Sequence, residues 1–125
     1  MPSRSRSLAG KQRMLTQKMT KELLLVANGI DPGRNRAALE KTVALFDRTL
    51  KGLMSGDAQL GLPGTRDAKI RAQLDVVAGI WRQYKPVLDA VDTSDAGLNK
   101  AARLNLPLLR EMNKAVKMFE RSVKG

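Results

Sequence analysis

The 125-residue chain has no cysteine and no histidine. Without cysteine there is no disulfide framework and no thiol nucleophile, and nothing about the compartment follows from it. Without either residue, zinc sites and histidine-based triads are excluded outright. Aromatic residues are scarce, at 3%, and the apolar set is instead Leu, Val, Ala, Met and Ile. Such a composition favours helices packed on helices over a β-sandwich. No apolar run approaches the roughly 20 residues of a membrane span. The opening "MPSRSRS" is basic, but no signal-peptide apolar region follows it. Taken as an excised or mature domain, the chain is periplasmic or otherwise extracytoplasmic; taken as complete, it is cytoplasmic.

What remains is ordinary for one folded domain. Hydrophobic residues make up 42% and charged residues 28%, enough apolar material to bury a core at this length. The formal net charge of +11 is the strongest compositional signal and points to an anionic partner.

Apolar spacing predicts four helices. In the second, Leu39, Val43, Phe46, Leu50 and Leu53 alternate steps of four and three, as on the seam of a bundle helix. Ile70, Leu74, Val77, Trp81, Tyr84, Leu88 and Val91 repeat the pattern in the third. The fourth runs through Leu98, Ala101, Asn105, Leu108, Met112, Val116, Phe119 and Val123, and the first through Leu8, Gln12, Leu15, Met19, Leu23 and Val26. Turn residues separate them: "NGIDPGRN" from Asn28, "SGDAQLGLPGTRD" from Ser55, and "DTSDAG" from Asp92. Thr65 or Asp67 is placed to cap the third helix. Pro86 and Pro107 interrupt patterns that continue on both sides, so they read as kinks rather than ends. Short connections favour antiparallel neighbours, and the expected fold is an all-α, up-down-up-down four-helix bundle over residues 8–125. Residues 1–7 form a basic N-terminal segment, either flexible or the start of the first helix.

The first helix is the unusual one. At about 100° per residue, its core stripe leaves Gly10, Arg13, Gln17 and Leu24 on the opposite side, flanked by Met14, Lys21 and Leu25. A helix apolar on two faces has two partners to pack against. Gly10 costs about 1 kcal/mol relative to alanine in a helix interior. Either the helix begins near it, where the cost is small, or another backbone or a ligand comes close. Arg13 has no acid at i±3 or i±4, whereas Lys18 has Glu22 at i+4. Arg13 is solvated, paired across the bundle, or reserved for a planar oxyanion that suits its bidentate fork. Asn105 reads as a register-setting core polar residue, and the cations Lys41, Lys51, Arg71, Lys100, Arg103, Lys114 and Lys117 as solvated.

The stretch Ala9-Gly10-Lys11-Gln12-Arg13-Met14, followed by Thr16-Gln17-Lys18-Met19, resembles the first-helix motif of PilJ-type and NarX-like sensor domains. In that motif Ala-Gly-x-x-Arg-Met precedes Ser/Thr-Gln-Lys/Arg-Met. The later helices, with Phe46, Trp81 and "LPLLREMNKAVKMFE" from Leu106, are similar in order. The resemblance implies an extracytoplasmic four-helix sensor domain of bacterial signal transduction and chemotaxis. It also implies a small anion such as nitrate or nitrite, held between the first helices of a homodimer. By the same carry-over Gly10 and Arg13 are the ligand contacts, and Ala9, Met14 and Gln17 are further candidates for ligand or interface. No catalytic residue, metal or cofactor is implied.

Three rival functions differ in class. A nucleic-acid-binding protein would use Arg4, Arg6, Lys11, Arg13, Lys18 and Lys21 on a phosphate backbone, but no DNA-reading motif is present and four aromatics leave little for base stacking. An enzyme finds no P-loop, Gly-x-Ser-x-Gly or paired-carboxylate motif, and Asp57 in the long loop has no evident partner. A ligand-free interaction module would keep the bundle alone.

Overall fold

A computed structural model describes residues 2–124, with side chains over residues 4–122. Met1 and Gly125, the ends of the two predicted segments, and Val123 on the fourth seam lie outside the described backbone and side chains respectively. Four helices follow one another: α1 (Pro2–Ala27), α2 (Pro32–Ser55), α3 (Ala68–Asp89) and α4 (Asp95–Lys124). Helix α1 packs against α2 and α4, and α3 packs against α4 and α2. The short connections make sequence neighbours antiparallel, which is the expected bundle. Of the two readings of the basic N-terminal segment, residues 2–7 take the second: they are the first turns of α1.

Local chemistry explains where each helix stops. Beyond α1, Ile30 N donates to Leu25 O and Gly29 N to Val26 O, with Gly29 at φ +69°. These two bonds form a Schellman cap, and glycine suits its left-handed residue. Pro32 then opens α2 at a position where its missing N–H costs nothing. Asp67, not Thr65, caps α3: its carboxylate accepts from Lys69 N at 2.9 Å and Ile70 N at 3.2 Å. Thr65 Oγ1 instead accepts from Asp67 N at 3.3 Å. Ser94 Oγ accepts from Gly97 N at 3.1 Å in the first turn of α4. Both α3 and α4 run through their prolines, Pro86 and Pro107.

The seams of α2 and α3 are buried at every predicted position. On α4, Ala101, Leu108, Met112, Val116 and Phe119 are buried, while Leu98 and Asn105 are half-buried. The centre of the core is aromatic: the Phe46 and Trp81 rings lie 4.5 Å apart, and Tyr84 meets Trp81 edge-on at 6.4 Å. Trp81 Nε1 reaches out of this cluster to Asp47 Oδ1 at 3.0 Å, and Lys51 Nζ bonds Asp47 Oδ2 at 2.8 Å.

Burial pushes the Asp47 carboxyl up, but the hydrogen bonds from Lys51 and Trp81 and the charges of Lys51 and Lys85 outweigh it. Its folded pKa is therefore below the 3.8 of the unfolded chain. A depressed carboxylate pKa contributes stability that is present above 3.8 and lost as pH falls through the folded value. Thermal melts from neutral to strongly acidic pH should show Asp47→Asn less stable than the wild type at pH 6. The gap should narrow below about pH 4; a constant gap would mean that Asp47 contributes nothing through its charge.

The buried face of α1 departs from the expected stripe. Leu8, Gln12, Met19 and Leu23 are buried as predicted, but Leu15 and Val26 are only half-buried. Ser5, Ala9, Thr16 and Glu22 are buried in addition. The reason is that α1 contacts two neighbouring helices, so its inward arc is wide and takes in small and polar residues that an apolar spacing rule skips. Their polar atoms are largely satisfied: Gln12 Nε2 donates to Phe46 O at 2.9 Å, and Thr16 Oγ1 to Gln12 O at 2.9 Å. Thr20 Oγ1 donates to Asn105 Oδ1 at 2.7 Å and sits 2.8 Å from the Tyr84 hydroxyl. Asn105 is thus part of a polar tie between α4, α1 and α3, half-buried at the edge of the core. Burial raises the Tyr84 phenol above its ordinary pKa, with the Thr20 hydrogen bond opposing.

Candidate functional site

Three of the candidate residues of α1 lie at the edge it shares with α4. Arg13, Met14 and Gln17 are exposed, and Gly10 is half-buried. Together with Leu106, Leu109, Arg110 and Asn113 of α4, the first three line an open groove of about 420 Å³. Its rim holds the two most exposed large apolar side chains among the described residues, Met14 (67%) and Leu106 (65%). Two arginines and an exposed apolar rim are an unusual pairing for a solvated surface.

Arg13 has a partner, though not an acid. Its Nη1 donates to Asn113 Oδ1 on α4 at 2.9 Å. Of the three readings of Arg13, the cross-bundle contact is the one the fold provides, and it is to a neutral amide. The bond orients the guanidinium without compensating its charge, and among the described residues no carboxylate pairs with it. Arg110, across the groove, bonds Glu111 Oε2 at 3.3 Å. The fold thus leaves one oriented, uncompensated fork at the α1–α4 edge.

Gly10 lies well inside α1, which begins at Pro2. The reading in which the helix starts near Gly10 is therefore corrected, and the glycine does carry an interior cost. A Cβ added there would meet nothing within 4 Å. No packing among the described residues calls for glycine at this position, and the space beyond it is open.

Ala9 is a second correction. It is fully buried in the bundle core, so its side chain cannot reach a ligand or a second chain across the outer face. Ala9 was a candidate through the resemblance alone, and the wide inward arc of α1 takes it in.

The other first-helix cations divide as expected. Lys18 pairs with Glu22, and Lys11 and Lys21 are exposed. Glu22 is only 4% exposed and its Oε1 lacks a partner. Its burial was not legible from spacing, because an i+4 lysine usually marks a solvated pair. Asp57 also departs from expectation. Arg48 grips it in a bidentate contact, Nε to Oδ2 at 2.9 Å and Nη2 to Oδ1 at 3.1 Å, and this holds its carboxyl below the usual range. The partner sits nine residues earlier on α2 and is brought back by the turn of the loop. Among the described residues no three His, Cys, Asp or Glu side chains gather as a metal site.

Comparison with known proteins decides the class. The family described as "Type IV pili methyl-accepting chemotaxis transducer N-term", PilJ, matches residues 7–105, from within α1 to the polar tie on α4. The chain belongs to the PilJ family. PilJ domains are sensor modules of chemotaxis transducers and not enzymes. Among relatives of this PilJ domain, the methyl-accepting chemotaxis protein McpN of Pseudomonas aeruginosa is 35% identical over 116 residues, which is 90% of this chain. The chain spans about a fifth of the length of that relative (21%). The solved ligand-binding domain of the P. aeruginosa nitrate receptor McpN superimposes with a TM-score of 0.83 at 32% identity, covering 96% of each chain. Among its described residues, this PilJ domain has no helix long and apolar enough to cross a membrane.

Proposed function

We propose that this domain senses a small inorganic anion, nitrate first and nitrite as its near relative, bound between the α1 helices of two copies. The observation that carries the reading is Arg13: an exposed guanidinium, oriented by a neutral amide, one turn from a glycine notch that no atom of its own chain fills. A trigonal oxyanion accepts two parallel N–H bonds from such a fork. The kinship to a nitrate receptor's ligand-binding domain supports the same ligand.

The two-fold arrangement has a physical logic. Two α1 helices meeting along this face bring two Arg13 side chains near one axis, where like charges repel. One monovalent anion between them relieves the repulsion, so binding favours one relative placement of the helices. The Gly10 notch lets the backbones approach. Met14, Gln17 and the Leu106 rim supply contact around the anion. By this reading the domain lies in the periplasm, with the anion-driven shift of α1 as the signal passed to the rest of the transducer.

Calorimetry with sodium nitrate against sodium chloride at equal ionic strength, paired with sedimentation, tests this directly. The expected result is one nitrate per two chains and a shift from monomer to dimer on binding. One nitrate per chain on a monomer would overturn the two-fold site. Gly10→Ala separates the two costs of the glycine. With space open around it, alanine should stabilise the monomer by up to about 1 kcal/mol, while nitrate binding weakens. Unchanged nitrate affinity in that variant would remove Gly10 from the interface.

A further inference from the structure

The groove accounts for Arg13 and leaves most of the net charge of +11 without a role. That charge is unevenly placed. At the pole where α1 begins and α4 ends, Arg6, Lys117 and Arg121 surround one shallow concavity with Glu120. Two neighbouring concavities continue the surface: one adds Lys69 at the start of α3 beside Arg121, the other runs up α4 past Lys117. Arg121 borders all three.

The charge at this pole is not neutralised locally. Among the described residues, Arg6, Lys69, Lys117 and Arg121 have no ion pair. Arg4 and Arg71 are tied to neutral carbonyls, Leu60 O at 2.9 Å and Met54 O at 3.0 Å, which fixes their positions and leaves their charge intact. The acids there are fewer than the cations. Asp57 is held by Arg48, which leaves Asp67, the cap of α3, and Glu120 as two charged acids beside Arg6, Lys69, Lys117 and Arg121. The opposite pole differs: Asp31, Asp89, Asp92 and Asp95 lie at its turns, and Lys85 is bonded to Asp89 at 2.7 Å.

We propose that the pole bearing Arg6, Lys69, Lys117 and Arg121 is a docking surface for an anionic phospholipid bilayer. Its cations come from the ends of three helices and spread across the end of the bundle, so they present a broad array of positive points to a flat array of phosphates. Basic residues near such a surface act additively and fall off within a Debye length. A duplex groove would be met by cations along one inserted helix, and single strands by exposed aromatics. Here Phe46, Trp81, Tyr84 and Phe119 are all buried.

The test is co-sedimentation of the chain with vesicles of equimolar phosphatidylcholine and phosphatidylglycerol at low salt. Retention should exceed that on pure phosphatidylcholine by at least about tenfold and disappear at high salt. Reversing Arg6, Lys117 and Arg121 together to glutamate should lower retention at least about tenfold. The same change in net charge at the opposite pole, Arg34→Glu with Arg36→Glu and Lys100→Glu, should have a much smaller effect. Equal loss in both triple variants would show a general charge effect and overturn the assignment. So would tighter binding to duplex DNA than to the vesicles at matched salt, or displacement from vesicles by millimolar inorganic phosphate at constant ionic strength. If the glutamate variant loses its helical circular dichroism, the Arg6→Gln, Lys117→Gln, Arg121→Gln variant takes its place; wild-type retention in that variant sinks the proposal.

Discussion

Arg13→Ala is expected to weaken nitrate binding on the order of a hundredfold or more, with little change in fold stability. A hydrogen bond to a charged group is worth about 1.5–3 kcal/mol, which is roughly ten- to a hundredfold in affinity for each one removed. At a two-fold site the substitution removes the fork from both chains. Stability should barely move, because the side chain is exposed and its one side-chain hydrogen bond among the described residues is to Asn113. Arg13→Lys keeps the charge and loses the planar bidentate geometry, so an intermediate loss is expected.

Asn113 gives a control that a merely structural role for Arg13 would not reproduce. Asn113→Ala removes the orienting bond but leaves the charge uncompensated, and should retain most of the affinity. Asn113→Asp places a carboxylate where the amide oxygen now lies, 2.9 Å from Nη1. The new ion pair would quench the charge that the anion needs, so binding should fall sharply while stability holds or rises. Calorimetry on the four variants reads the whole set. Equal nitrate affinity in wild type and Arg13→Ala would end the assignment of this residue.

The second large effect is on the fold. Phe46→Ala should destabilise the domain by about 3–5 kcal/mol. Phe46 is fully buried on α2 and its ring is 4.5 Å from Trp81. Its backbone carbonyl also accepts the bond from the buried Gln12 amide on α1. Truncation therefore opens a cavity at the meeting point of α1, α2 and α3, and the rigid helix backbones limit how far it can close. For a single domain of this size, such a loss is a large part of total stability. Urea denaturation followed by circular dichroism should show a much lower midpoint with a similar slope. A loss below about 1 kcal/mol would show that the neighbouring side chains refill the space.

Helix number, order and the greater part of the core were legible in the sequence because α2 and α3 bury one apolar seam each. Periodicity reports such a seam directly, from Leu39 to Leu53 and from Ile70 to Leu88, though Val91 is buried from the turn beyond α3 and not from the helix. It was less exact on α1, where Ala9, Thr16 and Glu22 are buried and Leu15 is only partly so. Small and polar residues enter an interior through particular neighbours and particular hydrogen bonds, and no spacing rule carries that information. The same limit applied to Asp57, whose partner Arg48 meets it only after the chain has turned.

The sequence by itself determined an all-helical bundle of PilJ type, the absence of cysteine and histidine chemistry, and the outward placement of Gly10 and Arg13. These follow from composition, from a 3.6-residue period and from a motif, all of which are local. Only the tertiary structure decided that Arg13 is oriented by the neutral Asn113, a hundred residues away, that Gly10 is an interior helix position with empty space above it, and that Ala9 belongs to the core. It alone also gathered Arg6, Lys69, Lys117 and Arg121 from three helices onto one pole. Contacts between helices depend on how each one is rotated about its axis and on which neighbours flank it. That rotation is settled by the packing of the whole bundle at once, so the opening stretch of α1 became one wall of a groove only when α4 was laid beside it.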